Sequence, residues 1–347
     1  MSIPIGIFCP SEIALRRFMP ALAKCPEFRF SGISYASDEE WFGSGLPSVP
    51  EEVRIRRSAT ERAKAEAFLG NGGELFDSYA ALASAEKIDA VYLPLPPGLH
   101  AKWGQVALEN GKHLLIEKPA TTRLADTRKL VETARNNRLA LHENYMFALH
   151  DQLAAIDRIV AGGEIGELRL IRISFGFPRR AANDFRYNRI LGGGALLDCG
   201  GYTIKYASML LGESARLTAA TTNRTDEFEV DLYGSATMVN ESGVTAQLAF
   251  GMDNDYKCEL ELWGSRGCLF TGRILTAPVG FVPTAVIHKG SEEQIRELPS
   301  DDTFTKSIRH FKECIGNPAV REGTYRRILR QAELVEEFRN LSGMKEI

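Results

Sequence analysis

The chain has 347 residues, 44% of them hydrophobic and 25% charged, with a formal net charge of −3. That length exceeds what one hydrophobic core organises, so two domains are expected, and the near-neutral charge excludes nucleic acid as a main partner. No apolar run approaches membrane-spanning length and the amino terminus lacks a charged leader followed by an apolar run, so no membrane partner and a soluble, cytoplasmic protein are expected.

In chain order, residues 3–8 read as a buried strand, 13–24 as a helix containing Pro20, and 28–34 as a second strand. The turn Cys9-Pro10-Ser11-Glu12-Ile13-Ala14 lies where a dinucleotide fold places its phosphate loop. Cys9 and Ser11 stand where that loop carries glycines, and only the small Ala14 is kept. Ser11 is suited to cap the helix and offer its hydroxyl to a phosphate, whereas Glu12 repels one unless it turns outward.

Residues 41–53, rich in Gly, Pro and Ser, read as a surface excursion leading to Arg54, Arg56 and Arg57. A helix over 59–69, a short strand over 75–79 and a helix over 79–85 follow. The strand at 89–95 ends in Pro94-Leu95-Pro96-Pro97-Gly98-Leu99-His100, a rigid loop, and a helix over 100–110 leads to the strand at 112–116. That strand stops at Glu117-Lys118-Pro119, because Pro119 has no amide hydrogen for a central ladder. A carboxylate and an ammonium are thereby left at the carboxyl edge, where open α/β sheets bind ligands. With a helix over 124–137 and a strand over 139–142, the alternation predicts a right-handed, doubly wound parallel sheet.

Beyond a helix over 147–161 the rhythm changes to long alternating strands over 167–177, 216–224, 228–240, 244–252 and 256–263, closed by helices over 305–315 and 324–341. The expected class is α/β: a Rossmann-like dinucleotide domain over 1–145, then an α+β substrate-binding and oligomerisation domain over 146–347 with a large, mostly antiparallel open sheet. Six cysteines and six histidines are scattered without ligand spacing, so no metal site is signalled and the thiols read as reduced.

Two stretches carry chemistry. A lysine at a strand end can hold a proton or polarise a carbonyl, which singles out Lys118. The other is Gly192-Gly193-Gly194-Ala195-Leu196-Leu197-Asp198-Cys199-Gly200-Gly201-Tyr202, where glycines open a helix and Asp198 and Tyr202 follow one turn apart on one face. Before it, Arg179, Arg180, Arg186 and Arg189 crowd the connection, and guanidinium groups suit phosphates, so a phosphate-bearing substrate is one expectation and a basic rim that serves solvation or subunit contacts is the other.

Glu117-Lys118-Pro119, the loop Tyr92-Leu93-Pro94-Leu95-Pro96 through His100-Ala101-Lys102-Trp103, the segment Gly163-Glu164-Ile165-Gly166-Glu167 and the glycine-rich stretch to Tyr202 together resemble the glucose-fructose oxidoreductase / inositol dehydrogenase / rhizopine-catabolism oxidoreductase (Gfo/Idh/MocA) family. The resemblance runs nearly end to end. It implies an NAD(P)-dependent oxidoreductase that moves a hydride between nicotinamide and a hydroxyl or keto carbon of a sugar or, with the arginines read as phosphate ligands, a nucleotide-linked sugar, assembled as a homodimer or homotetramer through the C-terminal sheet. By the same resemblance Lys118 works at the substrate oxygen, Tyr202 relays the proton, and Asp198 places substrate and lysine. Bringing a tyrosine from about 10 to about 7 takes roughly 4 kcal/mol, which a nearby ammonium in a dry cleft can supply.

The implied cofactor contacts are Cys9, Ser11, Glu12, Ile13, Ser34, Leu95, Pro96, His100, Glu117 and Lys118; those to substrate are Lys118, Tyr145, Arg186, Asp198 and Tyr202. Lys205 departs from a position often held by aspartate. Ser34-Tyr35-Ala36-Ser37 offers the ribose no carboxylate, which tips the coenzyme slightly toward NADP over NAD and requires an arginine among Arg54, Arg56 and Arg57 to fold back. Two alternatives stay open: a glycosidase of the same scaffold that retains NAD, and a sugar or cofactor sensor without catalysis.

Overall fold

The computed structural model describes residues 2–344. Its first sheet contains β1 (Ile3–Ile7), β2 (Phe28–Ser34), β3 (Glu74–Phe76), β4 (Ala90–Leu93), β5 (His113–Ile116) and β6 (Leu141–Glu143). All pairs are parallel and the order is β3-β2-β1-β4-β5-β6, so the winding reverses between β1 and β4. At such a reversal the chain leaves in opposite directions and a crevice opens outside the carboxyl ends. The strands are short and apolar because both faces are covered; β4 is buried at every residue.

The expected helix after β1 is irregular: a π-helical turn over Ala14–Phe18 runs into a short helix over Met19–Leu22, and Pro20, inside this continuous stretch, has no amide for the ladder. Residues 41–53 are more ordered than the Gly, Pro and Ser content suggests. Ser37 and Glu40 form a capping box for Asp38–Phe42, a 3-10 turn follows over Gly43–Ser48, and the long helix starts early, spanning Glu51–Glu66. Pro50 as its N-cap and two glutamates in its first turn explain the earlier start.

The second sheet contains β7 (Leu168–Gly176), β8 (Arg216–Asn223), β9 (Tyr233–Val239), β10 (Thr245–Gly251), β11 (Lys257–Gly264), β12 (Cys268–Gly272), β13 (Thr284–Lys289) and β14 (Glu292–Glu297), in the order β14-β13-β12-β11-β7-β10-β9-β8. β7 and β10 are parallel and the other pairs antiparallel. Alternation in β11 buries Cys258, Leu260 and Leu262 while Trp263 stays 52% exposed. The inner face packs Ile171, Ile173, Leu248 and Leu260 into one core with Ile204, Tyr206 and Ala207 of the helix Gly201–Leu211. Each such aliphatic side chain contributes about 1.5–3 kcal/mol on burial. Tyr233, Trp263 and Phe270 are exposed on the outer face.

The described residues form two compact units that are not consecutive in sequence: residues 2–121, 125–144 and 304–328 make the first, and 122–124, 145–303 and 329–344 the second. Return of Phe304–Ile328 to the first unit is visible in Phe28 stacked on Phe311 (5.8 Å) and in the Tyr325 hydroxyl donating to the Leu139 carbonyl.

Candidate active site

In the first unit, the turn after β1 is closed by its own polar atoms. The Ser11 amide donates to the Cys9 carbonyl (2.9 Å) and the Ala14 amide to Ser11 Oγ (3.3 Å), so Ser11 caps the helix. Glu12 turns outward, 76% exposed and paired with Arg16, which removes the repulsion an inward carboxylate would offer a phosphate. Cys9 is buried with its Sγ donating to the Pro94 carbonyl (3.4 Å), and burial pushes its thiol up to about 12, so it is a neutral wedge. Ser34 is fully enclosed and donates to the Phe8 carbonyl (2.9 Å), tying the end of β2 to the same turn. Ile13 is half-buried beside them.

Of the three arginines, Arg57 folds back. It donates to the Ala36 carbonyl (2.5 Å), pairs with Asp38, and lies 5.2 Å from the Trp41 ring and 5.7 Å from that of Phe42. Its Nε is buried with no hydrogen-bond partner among the described residues. Arg57 thus stands beyond β2, where the carboxylate of an NAD-type site is missing, and the Nη hydrogens not used by Ala36 and Asp38 suit a 2′-phosphate.

The Lys118 segment is held on every side. His100, fully buried, places Nδ1 2.8 Å from the Pro119 carbonyl and Nε2 2.7 Å from that of Leu95; burial lowers its pKa to about 4, and the neutral ring donates to one carbonyl at a time. The Ala120 amide donates to Glu143 (2.8 Å). Glu117 accepts from the Tyr92 hydroxyl (2.7 Å) and from Asn144 Nδ2 (2.6 Å), both at Oε1. Burial raises the Glu117 pKa, while Tyr92, Asn144 and Lys118 act in the opposite sense. Lys118 itself is half-buried, Leu95 buried and Pro96 half-buried. Sequence reasoning put His100 and Ser34 on the cofactor; the structure places both beneath the loops they tie down.

In the second unit, the glycine-rich turn folds on itself: the Gly193 amide donates to the Asn188 carbonyl (2.9 Å) and Gly194 to that of Arg186 (2.9 Å), with Gly192 and Gly194 at φ of 79° and 117°. Leu196–Gly200 is a π-helical turn running into Gly201–Leu211. Tyr202 sits in an aromatic box, 5.1 Å from Tyr145, 5.5 Å from Phe147 and 5.3 Å from Phe175 between ring centres. Gly201 is bare because the Tyr145 hydroxyl occupies the space of a Cβ, and Lys205 Nζ stands 4.9 Å above the Tyr145 ring.

Asp198 is not an isolated carboxylate: Arg186 Nε donates to its Oδ2 (2.6 Å), and Arg186 Nη1 lies 3.1 Å from Asp184. Arg186, read from sequence as a phosphate ligand, is therefore spent largely on two carboxylates. Asp231 escaped sequence reasoning. Buried, it accepts from the Leu196 amide (2.6 Å) and offers its own carbonyl to Ala195 (2.8 Å), fixing the start of the helix that carries Asp198 and Tyr202; burial pushes its carboxyl up to about 6. No motif surrounds it in sequence. Among the described residues no group of three His, Cys, Asp or Glu side chains is placed to hold a metal ion, and no helix is long and apolar enough to cross a membrane.

Comparison with known proteins gives two family matches: residues 48–145 with the oxidoreductase family having an NAD-binding Rossmann fold, and residues 153–270 with the GFO/IDH/MocA C-terminal domain. The chain is 38% identical to a dTDP-3,4-didehydro-2,6-dideoxy-alpha-D-glucose 3-reductase of Streptomyces violaceoruber, over 100% of this chain and 97% of that protein. It is 36% identical to a protein of the same name from Actinomadura kijaniata, over 97% and 95%. Among solved structures, KijD10, a 3-ketoreductase from A. kijaniata in complex with NADP and TDP-benzene, superposes with a TM-score of 0.88 at 34% identity, covering 99% of this chain and 98% of that one. KijD10 has also been crystallised with one tyrosine or one lysine altered, and those two positions are separated by the same number of residues as Tyr202 and Lys118.

Proposed function

Because the chain belongs to the Gfo/Idh/MocA family and is an NAD(P)-dependent oxidoreductase, we propose that it reduces the 3-keto group of a dTDP-linked 3,4-didehydro-2,6-dideoxy sugar with NADPH. The observation that carries this reading is likeness across the full length of reductases of that name, with Lys118 and Tyr202 kept at matching separation. The unit that contains the parallel sheet holds the coenzyme and the unit that contains the eight-stranded sheet the sugar nucleotide.

When bound, the reduced coenzyme would supply the hydride for the carbonyl carbon. Tyr202 gives its hydroxyl proton to the carbonyl oxygen, so that C=O becomes CH–OH, and the Lys118 ammonium stabilises the negative charge developing there. Asp198, held by Arg186, orients the sugar, with Tyr145 beside Tyr202. The diphosphate falls to the exposed Arg180, since Arg179 pairs with Glu227 and Arg186 with Asp184 and Asp198. Ser11 and Ile13 would hold the pyrophosphate, Leu95 and Pro96 the nicotinamide, and Arg57 the 2′-phosphate.

The decisive assay offers purified protein the dTDP-linked 3-keto sugar and follows NADPH oxidation; no turnover with any dTDP-linked ketosugar removes the proposal. In a parallel nicotinamide-fluorescence titration, Arg57→Gln weakens NADPH by about ten-fold or more, one charge-assisted contact, and leaves NADH nearly unchanged. Equal weakening of both coenzymes would assign Arg57 to packing alone. The exposed outer face with Tyr233, Trp263 and Phe270 receives a second copy of the chain in the cytoplasm; Trp263→Lys shifts sedimentation to the mass of one chain if so, and leaves it unmoved if not.

A further inference from the structure

A line of buried polar groups runs away from Glu117 into the part of the chain that returns late. Ser307, on the helix Thr303–Gly316, places its Oγ 2.7 Å from Asn144 Oδ1 and 2.9 Å from His142 Nε2. Asn144 Nδ2 stands 2.6 Å from Glu117 Oε1. His142, Asn144 and Ser307 are 8%, 1% and 1% exposed, so water does not compete for these bonds.

The direction of every proton in this line follows from donor and acceptor counting. Glu117 accepts from Asn144, so the amide nitrogen faces the carboxylate and the amide oxygen must accept from Ser307. That uses the one hydroxyl hydrogen of Ser307, whose oxygen then accepts from His142 Nε2–H. The whole line donates toward Glu117, and the Tyr92 hydroxyl adds a second donor at the same oxygen. A carboxylate receiving such donors is favoured in its ionised form and electrostatically supports an adjacent ammonium.

From this geometry, and resting on the proposed role of Lys118, we infer that Ser307 is a positioning residue for Lys118, acting through Asn144 and Glu117. The hydroxyl removes the freedom of the Asn144 amide to turn its oxygen toward Glu117. It thus makes a helix that follows the second sheet in sequence part of the Lys118 frame. Other charged or titratable groups facing this frame are Glu143, which accepts from the Ala120 amide, His100 beneath Pro119, and His310, whose ring centre lies 5.1 Å from that of His142.

Ser307→Ala is the test. With the restraint gone, Asn144 can flip and Glu117 takes up a proton at higher pH, so the acid limb of kcat/KM moves up by about one pH unit. Ser307→Thr, which keeps the hydroxyl, holds the parental limb. A second readout needs no substrate: mapped acylation of Lys118 changes in rate in Ser307→Ala, because the carboxylate beside the lysine is no longer held in place through Asn144. An unmoved acid limb and unmoved Lys118 reactivity would overturn the inference, as would a uniform loss of activity at all pH values, which marks mere packing. Should the alanine variant fail to fold, His142→Leu removes the donor that orients Ser307 and must shift both readouts in the same direction. Lys118→Met separates the two readings: if it stays active the proposed function itself fails, whereas a dead Lys118→Met with a normal Ser307→Ala removes only this inference.

Discussion

Lys118→Met is expected to fold, to bind NADPH with near-parental affinity, and to lose turnover by about three orders of magnitude, the range of one electrostatic or proton-handling group in an enclosed site. Methionine keeps the length and apolar stem of lysine, so the half-buried side chain still fills its place while the charge disappears. The backbone around it does not depend on that charge: His100 stands at the Pro119 carbonyl, Glu143 at the Ala120 amide, and Tyr92 with Asn144 at Glu117. A thousand-fold loss corresponds to about 4 kcal/mol of transition-state stabilisation. Single-turnover measurement after fluorescence titration separates chemistry from binding. Near-parental turnover in this variant would remove the oxidoreductase mechanism assigned to Lys118, and loss of NADPH binding would move Lys118 from the substrate oxygen to the coenzyme.

The parts of this fold that were legible in sequence are those where one physical cause acts alone. β4 and β5 are continuous apolar runs because both faces are covered, and Pro119 ends the ladder for want of an amide, so the carboxyl edge and Lys118 could be located. β7 to β11 alternate because one face alone is buried. β12, β13 and β14 were not anticipated: they are five or six residues long, and β14, exposed along most of its length as Glu-Glu-Gln-Ile-Arg-Glu, has no buried face to set a period. Asp231 and Ser307 were invisible as site residues for a different reason, and Arg57 could be named only together with Arg54 and Arg56. Each acts through a partner distant in sequence, and a lone Arg, Asp or Ser carries no local pattern that names it. The pairing of Arg186 with Asp198 likewise could not be read from a cluster of basic residues, since charge density in sequence says nothing of which carboxylate each guanidinium meets.

Tyr202→Phe provides the complementary experiment in the second unit. Tyr145, Phe147 and Phe175 hold the ring within 5.5 Å between centres, and phenylalanine retains all of that packing, so unfolding midpoints should stay within a few degrees. What disappears is one hydroxyl. If that hydroxyl delivers the proton, turnover falls by about 10² to 10⁴-fold with little change in KM, and the pH profile loses the limb that belongs to the phenol. Tyr145→Phe is the internal control: its hydroxyl lies against the bare Gly201, so its removal perturbs packing next to Tyr202 without removing the proton donor, and its effect should stay within about ten-fold. If the two variants lose activity equally and to the same small extent, the proton comes from solvent or another group, and the aromatic box serves to shape the sugar pocket. A large loss for Tyr202→Phe alone would assign the proton to the phenol and leave the Tyr145 hydroxyl to packing against Gly201.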